Sequence, residues 1–124
     1  MTNPGEECNV EVDQIGWSQD SISDTFQDGR DVQQAINALR RLTHEERVAI
    51  VATYPPIRVV QFVDQGWITL DNRRLFLFRA VLLPGTPIRV RVATLQEAEE
   101  LKRKLTTGDE GATIVVRSNR RNWR

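Results

Sequence analysis

Asp71-Asn72-Arg73-Arg74-Leu75-Phe76-Leu77-Phe78-Arg79-Ala80-Val81-Leu82-Leu83 is the most informative stretch of this 124-residue sequence. From Leu75 onward it is apolar on nearly every side, with Leu75, Phe76, Leu77, Phe78, Val81 and Leu82 around the helix rather than along one stripe. A helix of that kind is buried between other elements. Residues 73–83 are therefore expected to form the central helix, closed by Pro84-Gly85. Its first turn carries Arg73 and Arg74, where unpaired N–H groups and the helix dipole already concentrate positive charge. Each exposed arginine there costs roughly 0.3–1 kcal/mol, so an anion is expected beside them. A phosphate is the natural external candidate, because a helix start with guanidinium forks is a ready cradle for it. The internal alternative is a carboxylate: Asp71 as the cap, or an acid from the N-terminal part of the chain.

Outward from this stretch, the flanks predict a compact α+β domain with a small mixed sheet and flanking helices. Upstream, β-branched Ile57–Val63 and Trp67–Leu70 are two strands joined by Asp64-Gln65-Gly66, a short connection with hairpin chemistry. Pro55-Pro56 forces an extended approach to them. Before that, Asp31 with Gln34 opens a helix with Val32, Ala35, Ile36 and Leu39 on one face and its end near Arg40-Arg41. Thr43 with Glu46 opens a shorter helix carrying Val48, Ile50 and Val51, with His44 in its first turn facing solvent. Asn9–Ile15 is a short first strand, and the Ser- and Asp-rich stretch from Gly16 to Asp24 is too polar for a strand interior. Downstream, Ile88–Val92 alternates as a half-exposed strand. Thr94-Leu95-Gln96-Glu97 is a capping box for a helix with Leu95, Ala98, Leu101 and Leu105 on one face. Ala112–Arg117 is a last strand. One domain is expected over residues 10–117, after an acidic segment 1–9 and before a basic tail 118–124.

Composition removes several function classes. One cysteine, Cys8, in a start expected to fray, and one histidine, His44, leave no Cys/His metal site and no Cys–His or Ser–His–Asp constellation. No apolar run approaches the ~20 residues of a membrane span, and the acidic, turn-forming start is not a secretory leader, so an intracellular protein without membrane contact is expected. Zero net charge hides an asymmetry: residues 1–31 hold eight acids and one base, and the remainder holds 16 bases against nine acids. Fifteen of the 17 basic residues are arginines, whose planar forks suit phosphates and carboxylates. On composition alone, an acidic segment folded onto a basic body accounts for this pattern better than an anion site does.

Ile57-Arg58-Val59-Val60 followed by Trp67-Ile68-Thr69-Leu70-Asp71-Asn72-Arg73-Arg74-Leu75 resembles the core of the ParB/sulfiredoxin-like domain. In that family a Pro-Ile-x-Val strand pairs with a second strand that leads into an Asn-Arg-Arg-like turn and a buried helix. Phe26-Gln27-Asp28-Gly29-Arg30-Asp31 is similar to the segment before the first family helix, and Ser18-Gln19-Asp20-Ser21-Ile22 falls where the family places a substrate-facing loop. The resemblance spans roughly residues 10–92. With its Ser-Gln-x-Ser-Ile opening and Leu-Asp-Asn-Arg-Arg centre, it is similar to ParB-like domains of bacterial polymorphic toxins and stand-alone proteins.

The resemblance implies handling of nucleotide or nucleic-acid phosphates, with a nuclease or nucleotide hydrolase as the chemistry. By motif, Asn72, Arg73, Arg74, Arg30, Gly29, Gln19 and Ser18 would bind phosphate. Asp71 and Asp20 would be the catalytic carboxylates, with Asp71 capping the helix or helping to hold Mg²⁺. The Gly-His of plasmid-partition relatives is replaced by Asp71-Asn72, so base chemistry by that histidine is impossible. No helix-turn-helix region follows, and sulfiredoxin's cysteine beside its arginine is missing. Asp28 and Asp31 would be further Mg²⁺ ligands, although acids in turn-rich stretches are more often caps and solvated loops. Trp17 and Trp67 are core or edge packing that would also serve to stack a base. Arg89 and Arg91 share a strand face, and the tail Arg117–Arg124 interleaves arginine with Trp123; both would suit nucleic-acid backbone, or simply solvent. The alternative function is a non-catalytic interaction module of the same fold with its arginines paired internally.

Overall fold

A computed structural model describes residues 4–18, 21–23, 31–62, 66–104 and 115–117. In chain order the elements are β1 (Glu7–Glu11), a turn of 3-10 helix (Val12–Gln14), β2 (Ile15–Trp17), β3 (Ser21–Ser23), α1 (Val32–Arg40) and α2 (His44–Val51). Then come β4 (Ile57–Phe62), β5 (Gly66–Thr69), α3 (Asn72–Val81), β6 (Pro87–Val92), α4 (Leu95–Lys104) and β7 (Val115–Arg117). The class is α+β, as expected.

A five-stranded mixed sheet runs β1-β6-β4-β5-β2. β4 and β5 form the anticipated antiparallel hairpin, with Val59 opposite Thr69 and Phe62 opposite Gly66. Gly66 sits at φ +72°, a conformation open to glycine at little cost. β6 lies parallel to β4 on the other side, β1 is antiparallel to β6, and β2 is parallel to β5. β3 and β7 pair in parallel as a separate two-stranded sheet.

α3 is buried as its composition requires: Leu75 and Leu77 are fully enclosed, and Phe78, Val81 and Leu82 nearly so. They share a core with Val32, Ile36 and Leu39 of α1, Val51 of α2, and Ile57, Val59, Ile88 and Val90 of the sheet. A smaller apolar cluster joins Ile68, Leu70 and Ala93 with Val60 and Phe62. Leu83-Pro84-Gly85-Thr86 closes α3 with a Thr86 N–H to Leu83 O bond (3.1 Å) and Gly85 at φ +86°, while Asp13 Oδ1 accepts from Gly85 N–H (2.7 Å). Three of the four expected helix starts carry their caps. Asp31 accepts from Gln34 N–H (3.0 Å), and reciprocal pairs link Thr43 with Glu46 and Thr94 with Glu97.

Several expectations are corrected. The single strand over 9–15 is two strands divided by the 3-10 turn, because β1 and β2 lie at opposite edges of the sheet and no straight strand reaches both. β1 reaches back to Glu7, and Cys8 is half-buried opposite Val90 rather than in a frayed end. The Ser-rich stretch contains β3, paired with β7. β7 begins at Val115, and the earlier part of the expected last strand lies outside the described residues. Leu95 is 81% exposed instead of facing a core, since the first turn of α4 turns Glu97 rather than Leu95 toward the sheet, where it meets Arg91 and Arg58. Val48 and Ile50 are exposed, leaving Val51 to anchor α2. His44 is only half-exposed: its Nε2 accepts from Leu83 N–H (3.1 Å).

Arg47 holds the helices together in a way its sequence context does not suggest. Its guanidinium donates to Leu39 O, Leu42 O and Arg40 O at the end of α1 and to Val81 O at the end of α3. The cation thus meets the carbonyl ends of two helices, where the dipole favours positive charge.

Candidate functional site

The turn from β5 into α3 brings together Asp71, Asn72 and Arg74 of the expected motif, with Arg58 from β4 added. Thr69, fully buried, organises it: its Oγ1 accepts from Asp71 N–H (2.9 Å) and donates to Arg58 O (2.9 Å). Leu70 N–H donates to the same carbonyl (2.9 Å). Asp71 in turn accepts from Arg58 three times, from the backbone N–H (2.7 Å) and Nε (3.2 Å) at Oδ2 and from Nη2 (2.8 Å) at Oδ1.

Arg74 completes the arrangement, with Nη2 3.0 Å from Asp71 Oδ2 and Nη1 donating to Pro55 O (2.7 Å). Both Asp71 oxygens are thereby engaged, and its side chain makes no capping hydrogen bond to α3. The expected cap role is corrected: Asp71 reaches across the hairpin to the arginines instead of back to its own helix. Burial pushes the Asp71 carboxyl up, but the hydrogen bonds from Arg58 and the charges of Arg74 and Arg58 outweigh it and hold it below the usual range.

The ionic cluster continues outward through Glu97 at the start of α4. Glu97 accepts from Arg91 Nη1 (3.2 Å) and Nη2 (2.9 Å), from Arg58 Nη1 (3.4 Å), and from Thr94 N–H (2.9 Å). The Arg91 bond, backed by Thr94, lowers its pKa from 4.5 to about 2. Arg58 and Arg91 are direct cross-strand neighbours, so two like charges face each other with a carboxylate between them. Arg58, Arg74 and Arg91 thus meet Asp71 and Glu97 in one ionic cluster.

Ser18 and Asn72 are also brought together, though onto each other. Ser18 N–H donates to Asn72 Oδ1 (2.9 Å) and Asn72 Nδ2 donates to Ser18 Oγ (2.8 Å), both residues being buried. They tie the end of β2 to the start of α3. Arg73 lies half-buried in the same first turn. Gln19, Asp20, Asp28, Gly29 and Arg30 lie outside the described residues. Asp31 caps α1. Trp17 is core: Phe76 lies 6.3 Å from it and the Arg79 guanidinium sits 5.2 Å over its ring. Arg89 stands 3.7 Å from Glu7, both about half exposed.

As a donor set for Mg²⁺ the described part of this turn is a poor fit. Its carboxylate is held between two guanidinium groups, and among the described residues no three His, Cys, Asp or Glu side chains are grouped to hold a metal. Arg58 and Glu97 are the site residues that motif reading missed. The signal for Arg58 was a lone charge at an outward position of a β-branched strand; for Glu97 it was hidden by its evident capping role. Among the described residues no helix is long and apolar enough to cross a membrane. No family model, curated protein or solved structure matches this chain.

Proposed function

We propose that this chain is a ParB/sulfiredoxin-like domain whose β5–α3 turn binds the phosphate of a nucleotide or nucleic acid. One observation carries this: Arg58 and Arg74 converge on the Asp71 carboxylate at the start of a helix whose N-cap side chain gives it no acceptor. The guanidinium groups are held in place by ionic bonds, and the helix start adds its own partial charge. The hairpin leading into a buried helix, with Arg73 and Arg74 in its first turn, supports the family reading. Within it, Asn72 acts through Ser18 as a positioning residue, and Asp71 orients arginines rather than a metal.

A second function is favoured by a specific observation. Arg74 has both Asp71 and Pro55 O as internal partners, which is what a non-catalytic interaction module of this fold requires.

Titration of the pure protein with nucleotides and single- and double-stranded DNA, with and without Mg²⁺, separates the two. Phosphate binding predicts saturable, salt-sensitive affinity that Arg73→Ala and Arg74→Ala each weaken by about 1.5–3 kcal/mol while the fold survives. Product release in the Mg²⁺ arm identifies a nuclease or nucleotide hydrolase. A wild type without affinity for any phosphate ester, together with a destabilised Arg74→Ala, establishes the interaction module instead.

A further inference from the structure

β1 ends one side of the five-stranded sheet, and β6 is its neighbour on the other. Val12 N–H donates to Thr86 O (2.8 Å) and Val92 N–H to Glu6 O (2.8 Å), so the even-numbered residues of this ladder turn their backbone groups to β6. The N–H and C=O groups of Glu7, Asn9 and Glu11 therefore point out along the edge, where no described strand lies. A row of such groups is a template for a further strand.

The side chains select which strand fits. Glu7, Asn9 and Glu11 stand exposed on the outer face of the sheet, and Cys8 and Val10 on the inner one. Among the described residues Asn9 and Glu11 have no side-chain partner, and Glu7 has only its 3.7 Å pair with Arg89. A second β1 is a poor neighbour, because antiparallel pairing through Asn9 sets Glu7 against Glu11. Arg120-Arg121-Asn122-Trp123-Arg124, beyond the described residues, carries the same alternation with the opposite sign. Paired through Asn122 and Asn9, it sets Arg120 and Arg124 against Glu7 and Glu11 in either strand direction. Trp123 then falls on the inner face, beside Val10 or the half-buried Cys8. Arg121 shares that face, with a stem long enough to carry its charge to solvent.

Reach decides whose segment this is. β7 holds Arg117 beside Ser23 of β3, the strand that follows β2, and β2 is at the opposite edge of the sheet from β1. Four strand spacings, about 19 Å, separate the two edges. Extended chain from Arg117 to Arg120 spans about 11 Å at most. We propose that Arg120–Arg124 of one copy adds to the free edge of β1 in a second copy, as a sixth strand of its sheet. Nothing in this contact depends on the phosphate reading of the β5–α3 turn.

The test is sedimentation of the whole chain over a concentration series, with exchange of single backbone amides followed by NMR. Association is expected to rise with concentration. The Glu7, Asn9 and Glu11 amides should slow in exchange as it does, while those of Cys8 and Val10, already bonded to β6, stay as they were. Glu7→Lys with Glu11→Lys, at exposed positions, is expected to weaken association about tenfold, and so is Arg120→Glu with Arg124→Glu. All four changes together restore opposite signs and should return association to within about threefold of wild type. A monomer at every concentration up to about 1 mM, association that either reversal leaves intact, or a fourfold variant that does not regain it would each overturn the proposal. Amides at 7, 9 and 11 that are slow at every concentration would overturn it too, by placing a segment of the same copy on the edge.

Discussion

Ser18 and Asn72 bond each other twice across 54 residues of chain, backbone N–H to carbonyl oxygen in one direction and amide to hydroxyl in the other. Both are buried, so neither has water to fall back on. Asn72→Ala would strand the Ser18 N–H and hydroxyl, and each orphaned buried group costs about 1–3 kcal/mol. The expected loss is therefore about 2–4 kcal/mol by urea unfolding. Ser18→Ala, which removes only one bond and keeps the N–H contact, should cost less than Asn72→Ala; the reverse order would show that the clamp is not reciprocal in solution.

Asp71→Asn leaves Arg58 and Arg74 adjacent with no anion between them. We expect a loss of roughly 1.5–3 kcal/mol, the worth of hydrogen bonds to a charged partner. If the turn accepts phosphate, added inorganic phosphate should raise the thermal midpoint of this variant more than that of the wild type, since the external anion then replaces the lost one.

Acid should weaken the fold through the same cluster. Glu97 has a folded-state pKa of about 2 against 4.5 unperturbed, and Asp71 is also lowered. A depressed carboxylate stabilises fully above its unfolded value, and that stability is lost as pH falls toward the folded value. Thermal midpoints should hold near neutrality and fall between about pH 5 and pH 2. Glu97→Gln should begin lower and fall less steeply over that window; parallel curves for the two proteins would show that Glu97 does not contribute.

Arg47→Met keeps much of the stem and removes the cation that serves three carbonyls of two helices and that of Leu42 in the connection between α1 and α2. Its expected cost is about 2–3 kcal/mol. Hydrogen exchange should rise together at the ends of α1 and α3, two places with no sequence neighbourhood in common.

Phe78→Ala empties space in the main core, where Phe78 also meets Tyr54. About 3–5 kcal/mol should be lost. A domain with ~5–15 kcal/mol in total would be left partly unfolded. A thermal midpoint within a few degrees of wild type would mean that α3 is not central.

Local patterns in the sequence anticipated what depends on neighbours in the chain. Asp31, Thr43 and Thr94 cap as their spacing to Gln34, Glu46 and Glu97 suggests, and Leu75–Leu82 is buried as its all-round apolarity demands. What escaped reading is set by partners far away. The break at Val12–Gln14 follows from two strands pairing at opposite sheet edges, and Arg47's role follows from where α3 happens to end. Charge gave the same lesson at the site. Arg73 and Arg74 announced that an anion was needed, but only the β4–β5 register puts Arg58 where it can share Asp71 with Arg74.

The edge positions of β1 and β2 also constrain how the protein can be made. β2 has its partner once β5 has been synthesised, but β1 must wait for β6, so Glu7–Glu11 stays unpaired until Val92 has left the ribosome. Long-range pairings of this kind are slow and leave a strand open to wrong partners meanwhile. The waiting strand carries Glu7 and Glu11, and it belongs to the most acidic third of the chain. Like charge on an unpaired strand discourages it from adding to a second nascent copy. The acidity at the start of this sequence thus serves the interval before the sheet exists, when β1 has no neighbour of its own.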